Sequence, residues 1–126
     1  MHQPERRRQR SEDTLAALHL QLTYIREVTG LEALVLVESS GCLLASAGAT
    51  PTCDELAAWA PLLATPTAVA NDAIASRVAM FAIDVAVRPV AVLGDQVLLC
   101  GRGDAVTRGP ALARAAQGCQ RILGVA

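Results

Sequence analysis

Lysine is absent from this chain of 126 residues, and all 11 of its basic residues are arginines. A chain without lysine cannot carry the lysine of a Walker A loop, and no G-x-G-x-x-G sequence follows its first predicted strand. With 12 acidic residues the net charge is −1, so we expect no general attraction to nucleic acid or to an anionic membrane. The chain therefore lacks the common signatures of nucleotide-hydrolysing and nucleic-acid-binding proteins.

Histidine is almost as scarce, since only His2 and His19 occur. A serine or cysteine nucleophile needs a base, usually histidine, and neither histidine has a second catalytic group that can be placed beside it. We interpret His19 as a surface or partly buried residue of the first helix. The carboxylates show no spacing that selects an acid–base pair, so we expect no enzymatic activity.

The cysteines are too widely spaced for a typical metal site. They are Cys42, Cys53, Cys100 and Cys119, and the nearest two are 11 residues apart. Structural zinc sites usually take their ligands in closely spaced pairs. We expect reduced, structural thiols, no metal and no bound cofactor.

Aromatic residues are limited to one Phe, one Tyr and one Trp, although 52% of the chain is hydrophobic. The core must therefore consist of Ala, Val and Leu. The length fits one domain, which we place at residues 11–126, after a disordered basic tail at residues 1–10. No apolar run reaches the roughly 20 residues of a membrane span, and no secretory segment follows the tail, so we expect a cytoplasmic protein.

The most informative feature that is present is a pair of apolar runs, Ala33–Val37 and Cys42–Ala45, joined by Glu38-Ser39-Ser40-Gly41. This pattern predicts a β-hairpin. The runs are uninterrupted rather than alternating, which indicates that both faces of the sheet are covered. We therefore expect helices on both sides of a central sheet.

Two amphipathic helices are predicted near the ends of the domain. The first covers residues 12–29, with Ser11 as N-cap and Gly30 as the stop. The last opens at Gly109-Pro110, where proline suits a first helical position. The predicted buried positions are Leu15, Leu18, Leu22 and Ile25 in the first helix and Leu112, Ala116, Cys119 and Ile122 or Leu123 in the last.

The middle of the chain predicts a further helix and three further strands. An Ala- and Leu-rich helical segment covers residues 54–76, and Pro61 and Pro66 should kink it or divide it. Strands are predicted at Val78–Ile83, Val85–Val92 and Gln96–Cys100, with a turn at Gly94-Asp95 and an edge or bulge at Pro89. The first two runs could also form one long bent strand. The order α-β-β-α-β-β-β-α predicts an α+β fold with a five-stranded antiparallel sheet.

This order of elements, together with local sequences, resembles the roadblock/dynein light chain family, whose fold is profilin-like. Gly30–Val37 running into Glu38–Ser46 is similar to the family's first hairpin, Leu93–Leu99 to its last hairpin, and Leu56–Trp59 to its middle helix. The resemblance implies a homodimer in which the middle helices pair and edge strands join two sheets. It also implies a scaffold for Ras-like small GTPases or for motor and signalling assemblies. Bacterial members can promote GTP hydrolysis without inserting an arginine, by ordering residues of the GTPase itself.

The middle helix offers a candidate dimer or partner interface. Its apolar residues at helical spacing are Leu56, Trp59, Leu62 and Leu63. Trp59 is the strongest candidate, because tryptophan is enriched at binding hot spots, although it could also pack only against its own sheet. The alternative function is a profilin-like domain that senses a small ligand between sheet and helix. The scarcity of aromatic and convergent polar residues argues against that alternative.

An Arg-Gly-Asp tripeptide occurs at Arg102-Gly103-Asp104. Cell-surface receptors recognise this sequence, but three residues recur by chance. We interpret it as the exit from a strand.

Overall fold

A computed structural model describes residues 4–64, 76–77, 79–80, 82–92 and 95–124. The elements are helix α1 (Pro4–Thr29), strands β1 (Ala33–Glu38) and β2 (Leu43–Ala47), helix α2 (Thr50–Ala64), a 3-10 turn (Ala82–Asp84), strands β3 (Val85–Val92) and β4 (Asp95–Arg102), and helix α3 (Ala105–Gly124). The strands form one antiparallel sheet in the order β2-β1-β4-β3.

Strand β1 lies in the middle of the sheet and is buried on both faces, which confirms the interpretation of its uninterrupted apolar run. All five residues from Ala33 to Val37 are 0% exposed. Leu34 and Leu36 pack on the side of α1 and α3, whereas Val35 and Val37 pack on the side of α2. Helices therefore cover both faces, as predicted.

The two faces hold separate hydrophobic clusters. The cluster under α1 and α3 includes Leu18, Leu22, Ile25, Leu34, Leu36, Leu99, Leu112, Ala115 and Cys119. The cluster under α2 includes Ala33, Val35, Val37, Cys53, Leu56, Ala57, Ala60, Leu98 and Cys100. The predicted buried residues of the terminal helices all lie in or against the first cluster.

Helix α1 starts at Pro4, so the predicted start beside an N-cap at Ser11 is wrong, and the backbone of residues 4–10 is helical. The segment Glu5–Arg10 consists of Glu, Arg and Gln, which all have high helix propensity. Proline is also well suited to the first turn. The helix ends as predicted, since Gly30 has a φ of 77° and its N–H donates to the Arg26 carbonyl at 2.9 Å.

The predicted strand at Val78–Ile83 is wrong. Ala79 and Met80 are helical, and Ala82–Asp84 forms a 3-10 turn. In the described residues the sheet therefore has four strands rather than five. A short apolar run is ambiguous between strand and helix, because each can bury it equally well. The next run, Val85–Val92, is the predicted strand β3 with the predicted bounds.

The β3–β4 hairpin and its proline follow the prediction. Val92 pairs with Asp95, so the two strands are joined by a two-residue connection. Of the predicted turn at Gly94-Asp95, Gly94 lies outside the described residues, and Asp95 is the first residue of β4. Strand β3 is an edge strand of the four-stranded sheet, which is where Pro89 was expected.

Helix α3 starts at Ala105, so the predicted start at Gly109-Pro110 is wrong. Asp104 caps the helix: its Oδ1 accepts hydrogen bonds from the N–H groups of Val106 and Thr107, both at 3.0 Å. These bonds and the Thr107 hydroxyl lower the pKa of Asp104. Arg102 ends β4 and Asp104 precedes α3, so the Arg-Gly-Asp sequence is the exit from a strand, as interpreted.

Candidate partner-binding face on helix α2

Within the described residues, the hydrophobic cluster on this side of the sheet takes its helical side chains from α2, which buries one narrow stripe. The helix begins directly after β2, and its first turn is closed by a hydrogen bond from the Cys53 N–H to the Ala49 carbonyl at 3.0 Å. The buried residues are Cys53, Leu56, Ala57 and Ala60. This spacing is that of a single helical face. Three of the four side chains are small, which allows the helix to lie close to the sheet.

The four residues predicted for the interface do not occupy equivalent positions. Leu56 is 0% exposed and belongs to the core beneath the helix. Trp59, Leu62 and Leu63 are each half-buried, and Leu63 also packs against the edge of the α2 cluster. Residues three and four positions apart lie side by side on a helix, so these three form one apolar surface, which we call the α2 face. Leu56 supports this surface from below and does not form part of it.

Pro61 lies inside α2 without ending it, so of the two predicted outcomes, a kink or a division, the division does not occur at this residue. The predicted break at Pro66 lies outside the described residues, as does the rest of the segment to residue 75. Proline cannot donate to the carbonyl four residues earlier, which belongs to Ala57. The hairpin turn lies close by: a Cβ added to Gly41 would be 3.6 Å from the Ala57 oxygen and 3.7 Å from the Pro61 ring.

The other half of α2 is charged and is linked to the sheet by Arg102. The guanidinium lies 3.2 Å from Glu55, 3.6 Å from Asp84 and 3.8 Å from Glu32. The Arg102 side chain is only 18% exposed, whereas its partners are about half exposed. The α2 surface thus changes from acidic near Asp54 and Glu55 to apolar near Trp59.

The thiols near α2 have the properties of core groups. The Cys53 Sγ donates a weak hydrogen bond to the Ala47 carbonyl at 3.6 Å, and burial raises its pKa. Burial also raises the pKa of Cys100 to about 12. Because the thiolate is the reactive form, neither group is an activated nucleophile. This agrees with the prediction that these cysteines are structural.

Sequence reasoning missed a second apolar surface, on helix α1. Leu20, Tyr24 and Val28 are 72%, 51% and 49% exposed. The Arg114 guanidinium from α3 lies 5.5 Å from the centre of the Tyr24 ring. The spacing of four residues could have revealed this row, because it lies opposite the buried stripe that contains Leu18 and Leu22.

Sequence reasoning also missed three polar contacts. Arg102 is surrounded by carboxylates from three different segments, His19 contacts the backbone of Ser46, and Gln120 contacts the backbone of Ala91. Each contact joins residues that are far apart in the chain or depends on a strand register. No local pattern of the sequence reports such a contact.

Two classes of feature are absent from the described residues. They contain no group of three or more His, Cys, Asp or Glu side chains that could hold a metal ion. None of the helices within these ranges has the length and apolar character needed to cross a bilayer.

The arrangement of these helices around an antiparallel sheet is that of roadblock-domain proteins, so the family resemblance is confirmed at the level of the fold. MglB from Myxococcus xanthus superposes with a TM-score of 0.53 and 16% identity, over 86% of this chain and 88% of that one. The gliding protein MglB from Thermus thermophilus superposes with a TM-score of 0.50 and 23% identity, over 87% of this chain and 93% of that one. No protein-family model matches the chain, and no curated protein does.

Proposed function

We propose that this protein is a non-catalytic, cytoplasmic regulator that forms a homodimer and binds a Ras-like small GTPase. The observation that carries the proposal is the fold it has in common with the two MglB structures over more than four-fifths of each chain. Roadblock-domain proteins act as docking platforms, so shape and rigidity matter more than any reactive side chain. The assignment of a GTPase rests on this likeness of fold.

We propose that the α2 face is where two copies meet. Trp59, Leu62 and Leu63 are half-buried in the single chain, so each keeps apolar area that a partner can remove from water. On this side of the sheet, the helical residues of the described core all come from α2. A second α2 packed against the first would bury the remaining surface of all three side chains.

We further propose that any effect on GTP hydrolysis arises from ordering the GTPase rather than from a donated arginine. Arg102, the arginine beside α2, lies against three carboxylates and is mostly buried. Moving it into another active site would leave these carboxylates close together without their counter-charge. A rigid surface that holds the GTPase's own residues needs no such movement.

The dimer is tested by light scattering on Trp59→Ala and Leu62→Ala at micromolar concentrations. We expect the wild-type protein to be a dimer and both variants to shift toward monomer. Leu20→Ala is the matched control, because it removes a leucine from an exposed helix surface on the other side of the sheet. A monomeric wild-type protein would contradict the dimer, and dissociation by Leu20→Ala alone would move the interface to α1.

Partner binding is tested by co-purification with the small GTPase encoded nearest to this chain, in the presence of GDP or a non-hydrolysable GTP analogue. We expect binding that depends on the nucleotide, because the switch segments of such GTPases differ between the two states. Hydrolysis measured with and without this protein then separates activation from tethering. Absence of binding in both nucleotide states would count against the proposed partner.

A further inference from the structure

Helices α1 and α3 lie side by side and run in opposite directions. A Cβ added to Gly118 of α3 would overlap the Gln21 side chain of α1. One turn further along α1, Tyr24 contacts Arg114, which comes four residues earlier than Gly118 in α3. Residue numbers thus rise in one helix as they fall in the other. The outer surfaces of the two helices are therefore neighbours, on the side of the sheet opposite α2.

The α1 half of this surface is an apolar ridge. Leu20, Tyr24 and Val28 are each about half exposed or more, and they follow one another at intervals of four residues. A rise of 1.5 Å per residue makes the ridge about 12 Å long. Rows of side chains four residues apart are the ridges that fit between the side chains of a second helix. The ridge therefore suits a helical segment of a partner.

The α3 half of the surface is cationic. Helix α3 contains three arginines and no acidic residue. Arg114 and Arg121 are both exposed and seven residues apart, so they lie on nearly the same side of the helix, about 10 Å from each other along its axis. Within the described part of the chain, neither guanidinium forms an ion pair with a carboxylate. Their positive charge is therefore available to a partner.

Arg114 is held in place at the border between the two halves. Its Nη2 donates to the Tyr24 hydroxyl at 3.3 Å, and the centre of the guanidinium lies 5.5 Å from the centre of the Tyr24 ring. A guanidinium has five N–H donors, so others stay free for a carboxylate, which can accept two of them side by side. Tyrosine and arginine are also among the residues that contribute most to binding at protein interfaces.

We propose that this surface binds an amphipathic helix of a partner protein that carries carboxylates along one flank. We call the surface the α1–α3 face, and its residues are Leu20, Tyr24, Val28, Arg114 and Arg121. Apolar side chains of the partner cover the ridge while its carboxylates meet the arginines of α3. Two acidic residues seven positions apart match the separation of the two arginines. The α1–α3 face lies opposite the α2 face, so this binding neither competes with the proposed dimer nor depends on it.

Two other occupants fit the α1–α3 face less well. Asp13 and Glu27 are exposed and lie seven residues on either side of Leu20, so they share its side of α1. Their negative charge opposes binding to an anionic membrane. A second copy whose ridge packed antiparallel on the first, centred on Tyr24, would bring the two Arg114 guanidinium groups together. A helix that is acidic on one flank only avoids both conflicts.

Two synthetic peptides test the charge of the partner by fluorescence anisotropy. Both form amphipathic helices with leucines at intervals of three and four residues, and they differ only in two positions, seven apart on one flank, which hold Glu in one peptide and Gln in the other. We expect the Glu peptide to bind about three- to tenfold more tightly, as one or two exposed ion pairs predict. Arg114→Gln/Arg121→Gln should abolish this preference; both positions are exposed, so the fold should persist. Equal binding of the two peptides to the wild-type protein would overturn the proposal.

Leucine substitutions test the place of binding. Leu20→Ala should weaken the binding of both peptides about three- to tenfold, because it removes part of the ridge. Leu62→Ala on the α2 face is the matched control and should leave both affinities unchanged. Loss of binding in Leu62→Ala but not in Leu20→Ala would overturn the proposal. So would wild-type binding to phosphatidylserine vesicles that Arg114→Gln/Arg121→Gln abolishes, since it would assign the face to a membrane. A monomeric wild-type protein that prefers the Glu peptide would contradict the dimer but support this inference, so the two proposals fail separately.

Discussion

The two faces of the sheet are built differently. The large side chains of the face under α1 and α3 are leucines and one isoleucine, with smaller alanine, valine and cysteine side chains between them. Two long helices cover this face. The face under α2 is filled largely by alanine, valine and cysteine, and the described helical residues that cover it come from the 15-residue helix α2. The α2 side also carries the half-buried Trp59, Leu62 and Leu63, the surface that we propose for association.

Equal substitutions on the two faces should reveal the largest difference between them, measured as the loss of unfolding free energy. Leu22 and Leu56 are both 0% exposed, and each can be changed to alanine. For buried leucines the cost is roughly 2–5 kcal/mol of unfolding free energy. We expect the cost of Leu22→Ala to lie near the upper end of this range, because α1, α3 and the sheet fix the surroundings of Leu22. The cost of Leu56→Ala should lie near the lower end, because α2 can move inward and fill part of the cavity. Both costs are measured by denaturant unfolding at protein concentrations too low for association.

The reverse order, with Leu56→Ala the more destabilising, would show that the side of the sheet under α2 is the more rigid one. Equal costs would show that the two faces tolerate the loss of a buried leucine equally well.

Arg102→Met should weaken the attachment of α2 to the sheet and lower the unfolding free energy by less than the two leucine substitutions. Its three carboxylate partners are about half exposed and screened by solvent, so we expect a loss of about 1 kcal/mol. The loss should shrink as salt is added, because salt screens exposed charges. Arg114→Met on the opposite side is the control, and its effect should be smaller and less sensitive to salt. Thermal unfolding at low and high salt checks both variants.

Asp104→Ala should weaken the start of α3 in a way that depends on pH. The folded-state pKa of Asp104 lies below its ordinary value of 3.8, because the Thr107 side chain and backbone donate to the carboxylate. The stabilisation is therefore complete above the ordinary value and is lost as pH falls through the folded one. We expect the variant to unfold at a lower temperature than the wild type at neutral pH, and the gap to narrow in acid. A gap that widens in acid would exclude this origin.

Thiol labelling should show which side of the sheet opens more readily, without a substitution that changes stability. Cys42 is exposed and should react first with iodoacetamide, whereas Cys53, Cys100 and Cys119 are buried. Burial raises the pKa of Cys119 to about 11 and that of Cys100 to about 12, so both need local opening to react. We expect Cys53, under α2, to react before Cys119, as mass spectrometry of timed samples can show. Labelling of Cys119 before Cys53 would reverse the assigned order of opening.

The sequence was most informative where burial decides the structure. The uninterrupted run in β1, the buried stripe of α1 and the proline of β3 each predicted a position that the fold confirms, because tertiary packing imposes these patterns. It was least informative where two local signals competed. Pro110 favours a helix start at its own position, but the carboxylate of Asp104 caps the helix earlier, so α3 begins at Ala105.

The candidate site was predictable only in part. The apolar content of α2 pointed to the right helix, but helical spacing alone could not separate buried Leu56 from half-buried Trp59. That distinction depends on how the helix is rotated toward the sheet. The polar contacts of Arg102, His19 and Gln120 depend on strand order, which the chain reveals only after folding.

The central position of β1 has a consequence for synthesis. It pairs with β4, whose first residue opposite β1 is Val97. On a ribosome that adds 5–20 residues each second, the roughly sixty residues between the two strands take several seconds to emerge. During that time β1 can pair with β2 alone, and its remaining edge is open to any other extended chain. We therefore expect nascent chains halted before β4 to be the form of this protein most in need of a chaperone.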